Sequence, residues 1–337
     1  MYILTSPFTK TFDTLWLLYF VPDFLESQIG LWMIVEAPIG TKIENAVVLS
    51  LVSDLEAFCT ENKIVVSEDQ IKSITGIVTQ TQFISNKNLV LAHYISNHYF
   101  TQIHNALNLF FPAIVRKKIL SVDEKFFSKL NALHLTSPLK ERNNTVLNIF
   151  SEAQAKSYTE IKNNFQKNNK INLLYWVTWS GKTEIYIKLI QENLKSNKQS
   201  LLLIPEIILN NQIGEKIINT FWEEVVIINS SITETKKQQA FLEILSWKAK
   251  IVIWTRSALF YPFKNLELIV MDEEHDNSYN SDKSPRYKTK EIIEKMLELN
   301  PNINVLLWSG TPSVNSMYKA VKWEWNLVNL LEKYDEK

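Results

Sequence analysis

Residues 173–186 read LLYWVTWSGKTEIY, and this stretch decides the fold. An apolar run enters Ser180-Gly181-Lys182-Thr183 and continues as an amphipathic segment. A strand, a tight loop ending in Gly-Lys-Thr and a helix N-terminus together make a phosphate-binding loop. Its backbone N–H groups and helix dipole face an anion. Ser180, Gly181, Lys182 and Thr183 would cradle a nucleoside triphosphate, with Lys182 at the outer phosphates and Thr183 on Mg²⁺. The pattern asks for glycine five residues before Gly181, where Trp176 stands, and Trp179 fills another place that such loops give to glycine. The order is right and the bulk is wrong.

The rhythm on either side of this loop is that of an α/β domain. A helix over 151–165 and a strand over 172–177 lead into the loop and a helix over 184–195. Strands follow at 200–204, 225–229, 250–253, 266–271 and 304–307, with helices at 207–221, 233–246 and 289–299. Short, continuously apolar strands alternating with helices predict a parallel sheet buried on both faces. The loop then lies at the carboxyl end of its strand, where open α/β sheets bind ligands.

The strand at 266–271 ends in Asp272-Glu273-Glu274-His275. An acidic pair delivered beside a phosphate loop can hold Mg²⁺ and orient the attacking water, Asp272 serving the metal and Glu273 the water. Lys182, Asp272 and Glu273 are therefore the expected catalytic set, and ATP with Mg²⁺ the expected cofactors. His275 is expected to link the nucleotide site to a nucleic-acid track. Ser309-Gly310-Thr311-Pro312 follows the strand at 304–307, and Ser309 and Thr311 are expected to couple hydrolysis to movement on a strand. Gln154 precedes the loop, either reading adenine through its amide or serving as an ordinary solvated helix residue.

Residues 1–105 read as a small β-rich domain, with strands at 12–20, 33–35 and 46–51, a turn at Pro38-Ile39-Gly40, and helical pattern from Leu51 onward. The segment 89–109 is expected to be a helix pair whose aromatics (Tyr94, Tyr99, Phe100, Phe110, Phe111) pack a core rather than stack bases. Residues 106–150 read as a linker or a reduced small domain.

The chain of 337 residues carries 36 basic and 36 acidic side chains, so overall charge does not favour nucleic acid. A single cysteine, Cys59, rules out a disulfide framework and a cysteine-based zinc site within these residues. No apolar run approaches the length of a membrane span and no signal peptide is evident, which predicts a soluble, cytoplasmic protein. Glycine is scarce at 6 residues while tryptophan appears 10 times. Ordinary usage near 7% would put glycine at roughly 24.

With these motifs in place the chain resembles the PriA family of replication-restart DNA helicases. The strings that carry the resemblance are VTWSGKTEIY (177–186), LLLIPEIILNNQ (201–212), IVIWTRSALFYPFKNLELIVMDEEHDNSY (251–279) and PRYK (285–288). More weakly, IGLWMIVEAPIG (29–40) and the helix near 91–99 match its DNA-binding domain. The resemblance implies a RecA-like helicase lobe over 151–337 and a DNA-binding domain over 1–105 that holds a 3′ end. Between them lies a region shorter than the family's winged helix. It further implies an ATP-dependent 3′→5′ helicase acting on branched and single-stranded DNA without sequence preference, in company with other primosome proteins. Thr255, Arg256, Arg286 and Tyr287 are implied DNA contacts. A second lobe, its arginine finger and a zinc module would lie beyond Lys337, so this chain alone is expected to hydrolyse ATP poorly. The rival expectation is a fork-DNA-binding module without catalysis.

Aligned by these motifs, Trp176, Trp179, Trp254 and Trp308 fall where the family has glycine. Trp222, Trp247, Trp323 and Trp32 follow the same trend. A gene that writes glycine as UGA, read here as tryptophan, accounts for both composition anomalies at once. Drift in a chain under no selection is the alternative.

Overall fold

The computed structural model describes residues 1–7, 17–79, 85–121, 123–132, 150–167, 170–176, 181–205, 212–221, 224–228 and 232–331. Two compact units emerge: Met1–Thr136 with Lys283–Arg286, and Ser137–Asp282 with Tyr287–Lys337.

The first unit is built on five antiparallel strands, β1 (Tyr2–Pro7), β2 (Leu17–Phe20), β3 (Ile34–Ile39), β4 (Lys42–Val52) and β5 (Gly76–Thr79), in the order β2-β1-β4-β3-β5. Alternate residues of β3 and β4 (Val35, Ala37, Ala46, Val48) join Ile3 and Tyr19 in one core layer, as the two-residue period of a strand requires. The helices are α1 (Asp23–Glu26), α2 (Leu55–Asn62), α3 (Asn86–His98), α4 (Ile103–Leu107), α5 (Ala113–Leu120) and α6 (Glu124–Ala132). Asp54 caps α2 by accepting from the Ala57 N–H, and Ser85 caps α3 in the same way. Buried Asn45 ties β4 to α5 through a 2.7 Å bond from Nδ2 to the Ile119 carbonyl.

The α3–α4 pair stands where the sequence predicts it, and Phe110 and Phe111 are buried. Phe100, expected in the core, is instead 96% exposed. The expected turn at Pro38-Ile39-Gly40 is corrected: Pro38 and Ile39 pair with Ile43 and Lys42, and the chain reverses at Gly40 (φ 60°). Proline fits there because β5 pairs only as far as Glu36, leaving the Pro38 side of β3 as an edge. Strand β1 carried no sequence expectation, and β4 runs one residue past Leu51.

The second unit is a seven-stranded sheet in which every pairing is parallel. Its elements in chain order are α7 (Glu152–Phe165), β6 (Ile171–Trp176), α8 (Lys182–Lys195), β7 (Gln199–Leu203), α9 (Gln212–Phe221), β8 (Val225–Ile227) and α10 (Glu234–Leu245). After these come β9 (Ile251–Trp254), β10 (Leu266–Met271), α11 (Thr289–Leu299), β11 (Asn304–Ser309), α12 (Val314–Val321) and β12 (Asn326–Leu330). The strand order is β12-β6-β11-β10-β7-β9-β8. Leu174, Leu202, Ile253, Val270 and Leu306 are all fully buried between helices. Each such side chain contributes about 1.5–3 kcal/mol. Edge strand β12 was not anticipated, its NLVNL sequence being short and half polar. No described helix is long and apolar enough to cross a membrane.

Candidate nucleotide site and the loops around it

Parallel pairing brings the carboxyl ends of β6, β11 and β10 side by side. Trp308 and Ser309 of β11 pair with Leu174 and Tyr175 of β6, and Leu307 pairs with Met271 of β10. The acidic tetrapeptide after β10, the Ser-Gly-Thr turn after β11 and the start of α8 after β6 thus converge from segments far apart in sequence. Backbone bonds extend the sheet into the acidic loop, from Asp272 N–H to the Leu203 carbonyl (2.9 Å) and from Glu274 N–H to the Trp308 carbonyl (3.0 Å).

Helix α8 begins at Lys182 behind Gly181, which is left-handed at φ 68°. That conformation is open to glycine and turns the chain into the helix, presenting free N–H groups at its start. Ser180, an expected phosphate ligand, and Trp179, at an expected glycine position, lie outside the described residues, together with Val177 and Thr178. Gln154 is wholly buried and faces this turn. Its Oε1 accepts from the Ser151 N–H (2.8 Å), completing a capping box on α7, and its Nε2 donates to the Gly181 carbonyl (3.0 Å). The amide expected at adenine, or in solvent, is instead a brace between α7 and the loop.

The acidic loop and the Ser-Gly-Thr turn are joined by His275. Its Nδ1 lies 2.7 Å from Ser309 Oγ, and its Nε2 lies 3.4 Å from Thr311 Oγ1. Ser309 Oγ also accepts the Thr311 N–H at 3.0 Å, which shapes the turn. Glu273 holds a left-handed backbone, φ 44°, with its carboxylate 3.6 Å from His275. Such a conformation costs of order 1–3 kcal/mol and persists only where neighbours enforce it.

Glu274, the next residue, is firmly anchored, a role sequence reasoning missed. Its side chain is completely buried and paired with Lys290 of α11. It also accepts from Ser313 N–H (2.7 Å), Ser316 Oγ (2.7 Å) and Ser313 Oγ (3.2 Å) at the start of α12. Burial disfavours its charge. The Lys290 bond and charge, with the serine donors, outweigh that and hold the carboxyl below its usual range. No sequence signal pointed to Lys290, because α11 and α12 meet Glu274 only in the folded chain.

Asp272, the expected metal acid, is 1% exposed, and the indole N–H of Trp308 donates to its Oδ1. The Trp308 ring is itself fully buried, 4.4 Å between centroids from Tyr186 of α8. Burial beside these groups pushes the Tyr186 phenol well above its ordinary pKa. Trp176, at the end of β6, closes on the turn from the other side. A Cβ placed on Gly310 would lie 3.7 Å from its ring. The helix start behind Gly181 suits an anion, whereas an aspartate buried against an indole donor does not suit a hydrated Mg²⁺. The metal corner therefore does not fit in this chain as it stands. Among the described residues no cluster of three metal-binding side chains occurs.

Of the expected DNA contacts, Arg286 is exposed and Thr255 and Arg256 are half-buried. The Arg256 guanidinium donates to the Ser278 carbonyl. Tyr287 is corrected from a DNA contact to a packing residue: it is 3% exposed and meets the Phe260 ring edge-on at 5.0 Å. Burial raises its phenol to about 12, against the influence of Arg256 beside it.

Comparison with known proteins gives this arrangement a lineage. Residues 151–320 match the DEAD/DEAH box helicase family, and residues 3–112 match the 3′DNA-binding domain (3′BD). The replication restart protein PriA of Rickettsia conorii is 34% identical over 94% of this chain and 44% of its own length. That of Helicobacter pylori is 35% identical over 69% of this chain and 33% of its own, and that of Haemophilus influenzae 39% identical over 52% and 24%. The chain thus spans less than half the length of these relatives. With its parallel sheet and these two family matches, the chain belongs to the DEAD/DEAH box helicase family in its PriA-type form.

Proposed function

We propose that this chain is the DNA-engaging and nucleotide-sensing part of an ATP-dependent 3′→5′ helicase that restarts replication at branched DNA. The observation that carries the reading is the His275 bridge. One side chain touches both Ser309 and Thr311 from the acidic loop, 2.7 Å and 3.4 Å away. Any movement of that loop displaces the Ser-Gly-Thr turn, which is what a motor needs to convert nucleotide state into grip on a strand. The match of residues 3–112 to a 3′DNA-binding domain supports a free 3′ end as the feature bound, with branched DNA the proposed substrate and other primosome proteins the proposed partners. Arg286, exposed, would contact phosphates without reading sequence.

A second reading has its own support. With Trp308 on Asp272, the chain as written is a fork-DNA-binding module without hydrolysis. Binding of forked DNA carrying a free or a blocked 3′ end, followed by fork-stimulated ATPase, tests both. Binding that ignores the 3′ end removes the proposed substrate. ATPase that appears only after residues 176, 179 and 308 become glycine supports the motor reading. ATPase absent in both forms leaves the binding module.

A further inference from the structure

The misfit at Asp272 belongs to a pattern that runs through the chain. Seven described non-glycine residues have positive φ, and three of them are tryptophans: Trp32 (68°), Trp247 (65°) and Trp323 (61°). The left-handed region crowds a Cβ against the following carbonyl, so a bulky residue there is a genuine outlier. Trp247 and Trp323 lie in no nucleotide or DNA motif, so function does not explain their strain, and Trp32, within the 29–40 string, shows the same backbone.

Their places are those of glycine. Trp323 sits one residue past the C-cap of α12. Its N–H donates to the Ala320 carbonyl (3.2 Å), and the Glu324 N–H donates to the Lys319 carbonyl (3.0 Å). That pair of bonds is the Schellman motif, whose left-handed position helices give to glycine. Trp247 stands one residue past the C-cap of α10, with its N–H on the Ile244 carbonyl (3.1 Å) and a return bond from Ala249 N–H to the Glu243 carbonyl (2.9 Å). Trp32 makes the turn into β3, its N–H on the Val48 carbonyl at 2.9 Å.

The side chains agree. The indole nitrogens of Trp32 and Trp247 are buried with no hydrogen-bond partner among the described residues, although Lys250 lies over the Trp247 ring. A buried indole N–H ordinarily finds an acceptor. Trp323 is 89% exposed. Trp325 is the contrast: it avoids positive φ, is 3% exposed, donates to Glu294 Oε1 at 3.1 Å and receives Lys319 on its ring. Its site is made for a tryptophan.

We infer that the working protein carries glycine at positions 32, 247 and 323, and equally at 176 and 308, and that its gene writes them as UGA. The cell that makes it then charges a UGA-reading tRNA with glycine. The conclusion deepens the reading of the nucleotide site without resting on it, because the three turns lie outside that site.

Two measurements test it. The gene should show UGA at 32, 247 and 323 and UGG at 325; UGG at any of the first three overturns the inference. In the full chain, Trp323→Gly should raise Tm by about 2–4 °C, and Trp323→Ala by less than half as much. Both remove the same exposed indole, and only glycine is relieved of the Cβ. Equal gains from the two variants overturn the proposal. Failure of a glycine-restored chain to bind ATP would instead count against the nucleotide reading and leave this one standing.

Discussion

Trp308 donates its indole N–H to Oδ1 of Asp272, joining neighbouring strands β11 and β10 at the point where a nucleotide's metal would be held. The ring lies tilted at 46° against Tyr186, and Asp272 is 1% exposed. An indole N–H thus meets the carboxylate where an aspartate–metal site needs water.

Nucleotide affinity should respond to this wall. Replacing Trp176, Trp179 and Trp308 together by glycine is expected to tighten ATP binding at least tenfold, about 1.4 kcal/mol, in a fluorescent-nucleotide titration. Trp308→Phe, which removes the N–H and keeps the bulk, should not recover binding. Equal affinity in the parent and the triple variant would show that the indoles are harmless.

The Glu274–Lys290 pair should carry stability. Lys290→Met strands a buried carboxylate, and loss of one partner of such a pair costs about 3 kcal/mol or more, measurable by urea denaturation. The pH dependence follows from a folded-state carboxyl held below its reference value of 4.5. The unfolded chain takes up the proton first, so the contribution is present above about pH 4.5 and is lost as pH falls through the lower folded value. Glu274→Gln should therefore flatten the acid side of the stability profile. An unchanged acid limb would rule out this assignment.

Gln154 serves two partners that can be separated. Gln154→Glu keeps an acceptor for the Ser151 N–H but sets a carboxylate in a wholly buried site against the Gly181 carbonyl, and should cost about 3 kcal/mol or more at neutral pH. Gln154→Ala loses both the bond and the capping box, for about 2 kcal/mol. A loss in Gln154→Glu no larger than in Gln154→Ala would mean that the side chain does not face the Gly181 carbonyl.

The two arginines should behave differently. Arg286→Ala is expected to leave stability within about 0.5 kcal/mol and to reduce the salt slope of DNA binding by about 0.7–0.9. Arg256→Ala removes the donor to the Ser278 carbonyl and should cost about 1–3 kcal/mol of stability. A salt slope that Arg286→Ala does not change would remove that residue from the DNA track.

Much of the helicase domain was legible in advance for a simple reason. Strands such as LLLI at 201–204 and LIVM at 268–271 are apolar on both faces, which only a sheet covered on both sides can satisfy. The motifs stood in order along it, so the neighbourhood of Asp272, His275 and Ser309 could be anticipated. The roles of Gln154, Tyr287 and Glu274 could not. Each depends on a partner brought from elsewhere in the chain: Gly181 for Gln154, Phe260 for Tyr287, and Lys290, Ser313 and Ser316 for Glu274.

By itself, the sequence determined the parallel α/β lobe, the β-rich module before it, and the scarcity of glycine beside an excess of tryptophan. Those follow from periodicity and composition, which are local properties of the chain. The tertiary structure alone decided that Trp308 reaches Asp272 and that the backbone at 32, 247 and 323 is left-handed. A hydrogen bond across strands and a helix-ending turn exist only once separate segments have packed, and only then does a side chain meet the space it must fill.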